Sequence, residues 1–165
     1  MPASRVIRDG VVVGLIGYAS VAFFYSAFDL LAARGTLYTV NLLGQALFRG
    51  LRDPGVLFYP AENDPVAIFW YNALHLAIAV LIGLVVTSLV ASAEEHPSRR
   101  RLTRWVIVGG FVATVLAVAT MTTPIRPLLP LWSIVVANAV ATILAGAYLV
   151  KRRRGLWQRL ALADG

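Results

Sequence analysis

The sequence has no cysteine, only two histidines, and eight acidic residues against fifteen basic ones. Without cysteine the chain has no disulfide, no thiolate metal site and no thiol nucleophile. Other catalytic spacings are missing too: there is no Ser/His/Asp set, no paired-carboxylate set, no His-x-x-x-His pair and no glycine-rich phosphate loop. A divalent metal ion would have one histidine and one distant carboxylate. We therefore predict that the protein is not an enzyme and that it holds no metal ion.

Charged residues are also absent from long stretches of the chain. Residues 66–91 run for 26 residues without a charged side chain, enough at ~1.5 Å per residue to cross a ~30 Å hydrocarbon core. With three more apolar segments and a 59% apolar content, the chain is far more apolar than a soluble domain. We predict an all-α, polytopic membrane protein that forms a single domain over residues 1–165. Its four transmembrane helices are predicted as one bundle, at about residues 11–32, 66–91, 105–123 and 132–150.

The basic residues, which give a formal charge of +7, lie just outside the apolar segments. Eleven Lys and Arg fall in residues 1–10, 92–104 and 151–165, and four fall in residues 34–64 and 124–131. Positive charge favours the cytoplasmic side, so we expect both termini there, in a bacterial inner membrane. Because membrane sorting and anionic lipid headgroups account for these charges, we expect the lipid bilayer as a partner and no nucleic acid.

The first external loop contains a helical pattern at residues 39–52. Apolar residues share one face of it and polar residues the other: Val40, Leu43, Leu47, Phe48 and Leu51 against Asn41, Gln45, Arg49 and Arg52. Thr39 is predicted to cap its start, and Asp53-Pro54-Gly55 to follow its end. We predict an interfacial amphipathic helix on the outer membrane surface or over the mouth of the bundle. We favour a cover for the helix ends, with a docking surface for a partner as the alternative.

A few polar side chains lie within the four apolar segments. Five of them fall in the outer half of the membrane: Asp29, Asn72, His75, Thr120 and Asn138. Polar groups in hydrocarbon need partners, so we predict that these five share one hydrogen-bonded network near the outer mouth. For Asp29 alone, we favour an interfacial carboxylate that is solvated or paired with Arg34. The alternative is an acid that faces the bundle and binds a proton or a cation.

Small residues recur at helical spacing in three of the segments. The first segment has Gly10, Gly14 and Gly17, the second has Ala79, Gly83 and Thr87, and the third has Gly110, Ala113, Ala117 and Thr120. Such stripes let neighbouring helix backbones approach closely. We therefore expect close helix–helix contacts along them.

These features favour a protein that acts by association. We expect a non-enzymatic accessory or stabilising subunit of a larger membrane complex, or a homo-oligomer, whose polar network fixes the register of the helices. One alternative is a small transporter or proton- or ion-conducting bundle, with Asp29 and His75 as the titrating pair. Another is a haem- or chlorophyll-binding subunit, with His75 as the axial ligand. Outside that alternative we expect no cofactor.

Several short motifs recur in the same order in a known group of proteins. They are Gly14-Leu15-Ile16-Gly17, Asp29-Leu30-Leu31-Ala32, Thr39 with Leu43-Gly44, Tyr71 with His75, and Asn138 with Tyr148-Leu149. Through these motifs the sequence resembles a widespread group of small, uncharacterised bacterial integral membrane proteins. The resemblance implies a four-helix membrane bundle and carries no activity with it. It marks Asp29, Thr39, His75 and Asn138 as the positions to test first.

Overall fold

The computed structural model describes residues 3–50 and 62–153. They form five α-helices: α1 (Ala3–Leu31), α2 (Tyr38–Phe48), α3 (Pro65–Glu95), α4 (Arg100–Met121) and α5 (Leu131–Arg152). Short 3₁₀ turns, Pro97–Arg99 and Thr123–Ile125, flank α4. By length and composition, α1, α3, α4 and α5 could each cross a membrane. The predicted all-helical fold with four long apolar helices is confirmed for this part of the chain.

Helices α1 and α4 begin eight and five residues before the predicted spans and finish one and two residues before the predicted ends, whereas α3 and α5 extend beyond the predicted spans at both ends. The start of α3 shows why it begins where it does. Asp64 accepts hydrogen bonds from the backbone N–H groups of Val66 and Ala67, each at 3.0 Å, and Pro65 occupies the first helical position. The carboxylate thus satisfies two of the donors that a helix N-terminus leaves unpaired.

The tightest contact in the bundle joins α1 to α3. A Cβ atom built on Gly83 would lie against the carbonyl oxygen of Gly10 and the backbone of Gly14. A Cβ atom on Gly14 would in turn lie against the backbone of Val80. Only glycine allows backbones to approach this closely, so the expected contact is present for these three residues. Gly17 does not take part, because an added Cβ there would meet nothing within 4 Å.

Two apolar clusters lie at the two ends of the bundle. At the end that carries α2, called here the α2 end, Leu42 and Leu43 pack with Ile125, Leu129 and Ile134. The opposite end, where α1 starts and α5 finishes, is called the basic end. There Val13 of α1, Val90 of α3 and Leu149 of α5 form the second cluster. The clusters therefore join the three helices α1, α3 and α5 at one end, and α2, α5 and the α4–α5 connection at the other.

Helix α4 is attached much more loosely than the other long helices. Of its 22 residues only Thr103 and Ala119, near its two ends, are buried. Ile107 and Val118 add partly buried contacts with the two apolar clusters. The middle of α4 therefore contributes little to the described interior.

Helix α2 ends earlier than the predicted amphipathic helix. It finishes at Phe48, and Gly50 has a positive φ of 66°, a left-handed conformation that glycine adopts readily and that ends helices. The predicted extension of this helix to residue 52 is wrong for residues 49–50. Leu51 and Arg52 lie outside the described residues.

Candidate functional site

The best-defined polar contact of the α2 end is made by Asp29, whose side chain is buried with 1% exposure. Its Oδ2 accepts the backbone N–H of Thr39 at 2.6 Å, and its Oδ1 accepts the Thr39 hydroxyl at 2.6 Å. The residue at the N-cap position, Leu37, offers no side-chain hydrogen bond. Asp29 therefore caps α2 from α1, where a carboxylate also complements the positive end of the helix dipole.

This geometry corrects two expectations. Thr39 was expected to cap the start of α2, but it lies inside the first turn and donates to Asp29. Asp29 was expected to be solvated or paired with Arg34. Arg34 instead donates to the carbonyl oxygen of Leu128 at 3.1 Å, and its guanidinium lies 5.2 Å from the centroid of the Tyr38 ring. The donors that satisfy Asp29 come from the adjacent helix.

The polar face of α2 contacts the chain just before α3. Asn41, which is 3% exposed, accepts the backbone N–H of Asp64 at 2.9 Å. Gln45 donates to the carbonyl oxygen of Glu62 at 3.3 Å, and Arg49 Nε donates to Asp64 Oδ2 at 2.8 Å. This pairing lowers the pKa of Asp64 to about 2 and raises the pKa of Arg49.

Burial along α2 does not follow the division into an apolar and a polar face. Asn41 of the polar face is buried, whereas Leu47 and Phe48 of the apolar face are exposed. Gly44 lies so close to α3 that an added Cβ would come within 2.6 Å of the Ala67 carbonyl oxygen. Two other residues of the predicted interfacial set do follow their polarity: Leu43 is buried, and Arg49, which directly follows the helix, is exposed.

Tyr18, Asn72 and His75 form a second group, between α1 and α3. The Tyr18 hydroxyl donates to Asn72 Oδ1 at 2.9 Å, and Asn72 Nδ2 donates to the Ile68 carbonyl oxygen at 2.9 Å. The His75 ring lies between two tyrosine rings, with centroid distances of 5.2 Å to Tyr18 and 5.9 Å to Tyr71. His75 thus faces α1 and its own helix.

Thr120 and Asn138 bond within their own helices. The Thr120 hydroxyl donates to the Leu116 carbonyl oxygen and Asn138 Nδ2 to the Ile134 carbonyl oxygen, both at 2.8 Å. Among the described residues, no hydrogen bond joins any two of Asp29, Asn72, His75, Thr120 and Asn138. The expected shared network is therefore not formed, because hydroxyl and amide groups in a helix can satisfy themselves on the carbonyl four residues earlier.

A charged cluster at the basic end was not anticipated. Arg153 NH1 donates to Glu94 Oε2 at 2.6 Å, and Arg153 NH2 lies 3.9 Å from Asp9 Oδ2. The Arg153 side chain is 2% exposed. Arg8 and Arg152 lie 3.6 Å and 3.8 Å from Asp9 Oδ1. The cluster ties the ends of α1, α3 and α5 together, and the single acid Asp9, directly after Arg8 and before the apolar segment, is the sequence signal that could have revealed it.

The small-residue stripe of α4 lies on the outside of the bundle. All its members are exposed, together with the adjacent glycine: Gly109, Gly110, Ala113, Ala117 and Thr120. A Cβ atom added to Gly109 or Gly110 would meet nothing within 4 Å. The expected close contact along this stripe is not made by any described helix of the chain.

The described residues contain no group of three His, Asp or Glu side chains placed to hold a metal ion. Comparison of the chain with models of protein families, with curated proteins and with solved structures finds no match. The resemblance to small bacterial membrane proteins therefore stays a prediction. What the chain does has to be argued from its own surfaces.

Proposed function

We propose that the chain is a non-enzymatic, multi-pass membrane protein that acts by association with another membrane helix, through α4. The partner belongs either to a larger membrane complex, in which this chain is an accessory subunit, or to a second copy of the chain. The observation that carries the proposal is the open small-residue face of α4, which consists of Gly109, Gly110, Ala113, Ala117 and Thr120.

The α1–α3 contact shows what such a face does when it has a partner. There, small residues bring two backbones together. In lipid, no hydrophobic effect drives helices together, so close packing across small residues is a main source of association energy. When a face of this kind is exposed to lipid, it lacks the close backbone contacts that small residues allow. A partner helix would supply those contacts.

The proposal also includes the placement of the chain in the membrane. We place it in a bacterial inner membrane with the basic end on the cytoplasmic side, since eleven of the fifteen basic residues fall in residues 1–10, 92–104 and 151–165 of the sequence. Helix α2 then lies at the outer interface, with its exposed residues Leu47 and Phe48 turned to the lipid. Because the native chain has no cysteine, single cysteines at Arg49 and Arg101 can be labelled from either side of the membrane to test this orientation.

The two alternatives have less support from the geometry. An ion path through Asp29 would use a carboxylate whose two oxygens both accept hydrogen bonds from Thr39. A pigment ligated by His75 would have to fit beside a ring that packs against Tyr18 and Tyr71. An absorption spectrum of the purified protein, with a Soret or Q band lost in His75→Ala, would restore the pigment alternative.

The test replaces small residues of the α4 face with leucine. We expect Ala113→Leu and Ala117→Leu to abolish association while the monomer keeps its stability, because these side chains are exposed. Val108→Leu is the control, since Val108 is exposed on the side of the same helix opposite Ala117. Association is measured by the mass of the purified detergent complex and by the proteins recovered with it from native membranes. A wild-type protein that is monomeric and recovers no partner would contradict the proposal.

A further inference from the structure

Two arginines from different helices meet at the basic end of the bundle. Arg8 of α1 and Arg152 of α5 lie 3.6 Å and 3.8 Å from the same atom, Asp9 Oδ1. Their side chains are 57% and 50% exposed, whereas Asp9 is buried. The buried carboxylate thus keeps two half-exposed guanidinium groups close to each other.

Both guanidinium groups keep N–H donors available after they pair with Asp9. A hydrogen bond between a guanidinium and a carboxylate is about 2.7–2.9 Å long, so these two longer contacts are ion pairs without a hydrogen bond. Among the described residues, Asp9 Oδ1 has no hydrogen-bond partner, and neither arginine donates a hydrogen bond. A guanidinium carries five N–H donors. Each arginine can therefore bind a second anion while it stays paired with Asp9.

The charges of this cluster do not cancel. Arg153, which lies near both Glu94 and Asp9, is a third base beside Arg8 and Arg152, and the cluster has only these two acids. One positive charge is left over. Because both carboxylates already face guanidinium groups, a ligand that complements the cluster carries a negative charge and needs no cation of its own.

The position of the two arginines indicates a lipid as the source of that negative charge. Arg8 precedes the apolar segment that starts at Val11, and Arg152 follows the segment that ends at Val150. At such places a helix that crosses a membrane leaves the hydrocarbon and meets the lipid headgroups. A phosphodiester in the headgroup layer can contact both guanidinium groups without leaving the bilayer.

We propose that Arg8 and Arg152 together bind the phosphodiester of one anionic phospholipid, of the phosphatidylglycerol type, where α1 meets α5. Each guanidinium donates to a phosphate oxygen, and the Asp9 carboxylate beneath them keeps both in position. Phosphatidylethanolamine and phosphatidylcholine bring a cation to a cluster that already has excess positive charge, so they bind less well. The site depends on the proposed insertion of the chain in a membrane, but not on the proposed association through α4.

The experiment is native mass spectrometry of the full chain, in detergent that contains equal amounts of the three lipids. We expect one phosphatidylglycerol to be retained about fivefold over either competitor, the factor for one basic charge that attracts an anionic lipid. Arg8→Gln and Arg152→Gln should each reduce its retention about tenfold, as for the loss of one charge-assisted hydrogen bond.

The matched controls are Lys151→Gln and Arg101→Gln. Each removes one exposed positive charge, from α5 and α4 respectively, and neither residue forms an ion pair with Asp9. Both controls should retain phosphatidylglycerol as the wild type does. Equal losses in the controls and in the two arginine variants would overturn the proposal, because the attraction would then come from the basic surface as a whole. Equal retention of the three lipids by the wild type would overturn it too.

Two further measurements separate the possible sources of the effect. Phosphatidylglycerol should raise the unfolding temperature of the wild type and of the controls, but not that of Arg8→Gln, because the lipid links α1 to α5. Displacement of the lipid by inorganic phosphate at the same concentration would show a site for free anions and overturn the lipid assignment. The leucine variants of α4 should retain the lipid, and Arg8→Gln should still associate, so a failure of either proposal is distinguishable from a failure of the other.

Discussion

The chain uses small residues on two helix surfaces, and only one of them is covered. Between α1 and α3, Gly10, Gly14 and Gly83 bring two backbones into contact. On α4, residues of the same kind are exposed, and the space around Gly109 and Gly110 is open. A small-residue stripe thus identifies a surface suited to close contact, but not whether the partner belongs to the same chain. Polar contacts tie α1, α2, α3 and α5 together, and at the basic end the Thr103 hydroxyl of α4 donates to the Leu89 carbonyl oxygen of α3 at 3.5 Å.

The largest expected effect separates the covered glycine surface from the open one. Gly83→Ala puts a methyl group against the backbone of Gly10 and Gly14, so we expect it to cost about 3 kcal/mol of stability or more. Gly109→Ala should leave stability unchanged or raise it by up to about 1 kcal/mol, because nothing lies near the added methyl and alanine favours a helix more than glycine does. Thermal or denaturant unfolding in detergent measures both. Similar losses for the two variants would remove the distinction between the surfaces.

The charged cluster at the basic end should be the next largest contribution on the packed side. Arg153→Met leaves Glu94 and Asp9 without their buried partner, which we expect to cost about 3 kcal/mol. Arg152→Met should cost less than about 1 kcal/mol, since Arg152 is half exposed and 3.8 Å from Asp9. The same unfolding assay compares them. If Arg152→Met were the more damaging variant, the cluster would not be organised around Arg153.

The N-terminal cap that Asp29 provides should stabilise α2 more than it stabilises the four long helices. Asp29→Ala removes both acceptors of Thr39, and we expect a loss of roughly 2 kcal/mol, as for hydrogen bonds to a charged group. Hydrogen exchange should rise in α2 before it rises in α3. In a double-mutant cycle with Thr39→Val, the two losses should add incompletely, because both variants remove the bond from the Thr39 hydroxyl, while Thr39→Val leaves the bond from the backbone N–H. Additive losses would show that Asp29 and Thr39 act separately.

The smallest expected effect concerns the Arg49–Asp64 pair, which joins α2 to α3. The pKa of Asp64 is lowered to about 2, below the ~3.9 of an unfolded chain. Its contribution to stability is therefore complete above pH ~4 and lost as the pH falls through about 2. An NMR titration of the Asp64 carboxyl in micelles should give that low pKa, and Arg49→Gln should raise it. An unchanged pKa in Arg49→Gln would mean that the backbone donors of the helix cap lower it alone.

The architecture could be predicted from the sequence because lipid leaves so few options. A segment such as residues 66–91, with no charge over 26 positions, has no stable form in hydrocarbon other than a helix that satisfies its own backbone. The α1–α3 glycines could be predicted in the same way, from spacing alone. The sequence did not predict which small-residue stripe packs against another helix of the same chain.

The polar contacts could not be predicted, for a different reason. Periodicity places Asn41, Gln45 and Arg49 on one face of α2, but does not say whether that face meets water or protein. The structure gives it the backbone of Glu62 and the side chain of Asp64. Grouping polar residues by their depth in the membrane does not predict a shared network either, because each residue can bond to a partner that lies closer to it. Asp29 accepts hydrogen bonds from Thr39 of α2, which is not one of the four long helices, and Asn138 donates to a carbonyl oxygen of its own helix.

In the membrane, we expect another helix to cover the open face of α4. Single cysteines at Ala117 and, as the control, at Val108 can be introduced into a chain that has none of its own. Both positions are exposed, on different sides of α4. In native membranes, oxidation should join Ala117→Cys to a second copy as a disulfide, or a photoreactive group attached to that cysteine should capture one defined partner, while Val108→Cys gives background. Equal cross-linking from both positions, or none from Ala117→Cys, would contradict the claim.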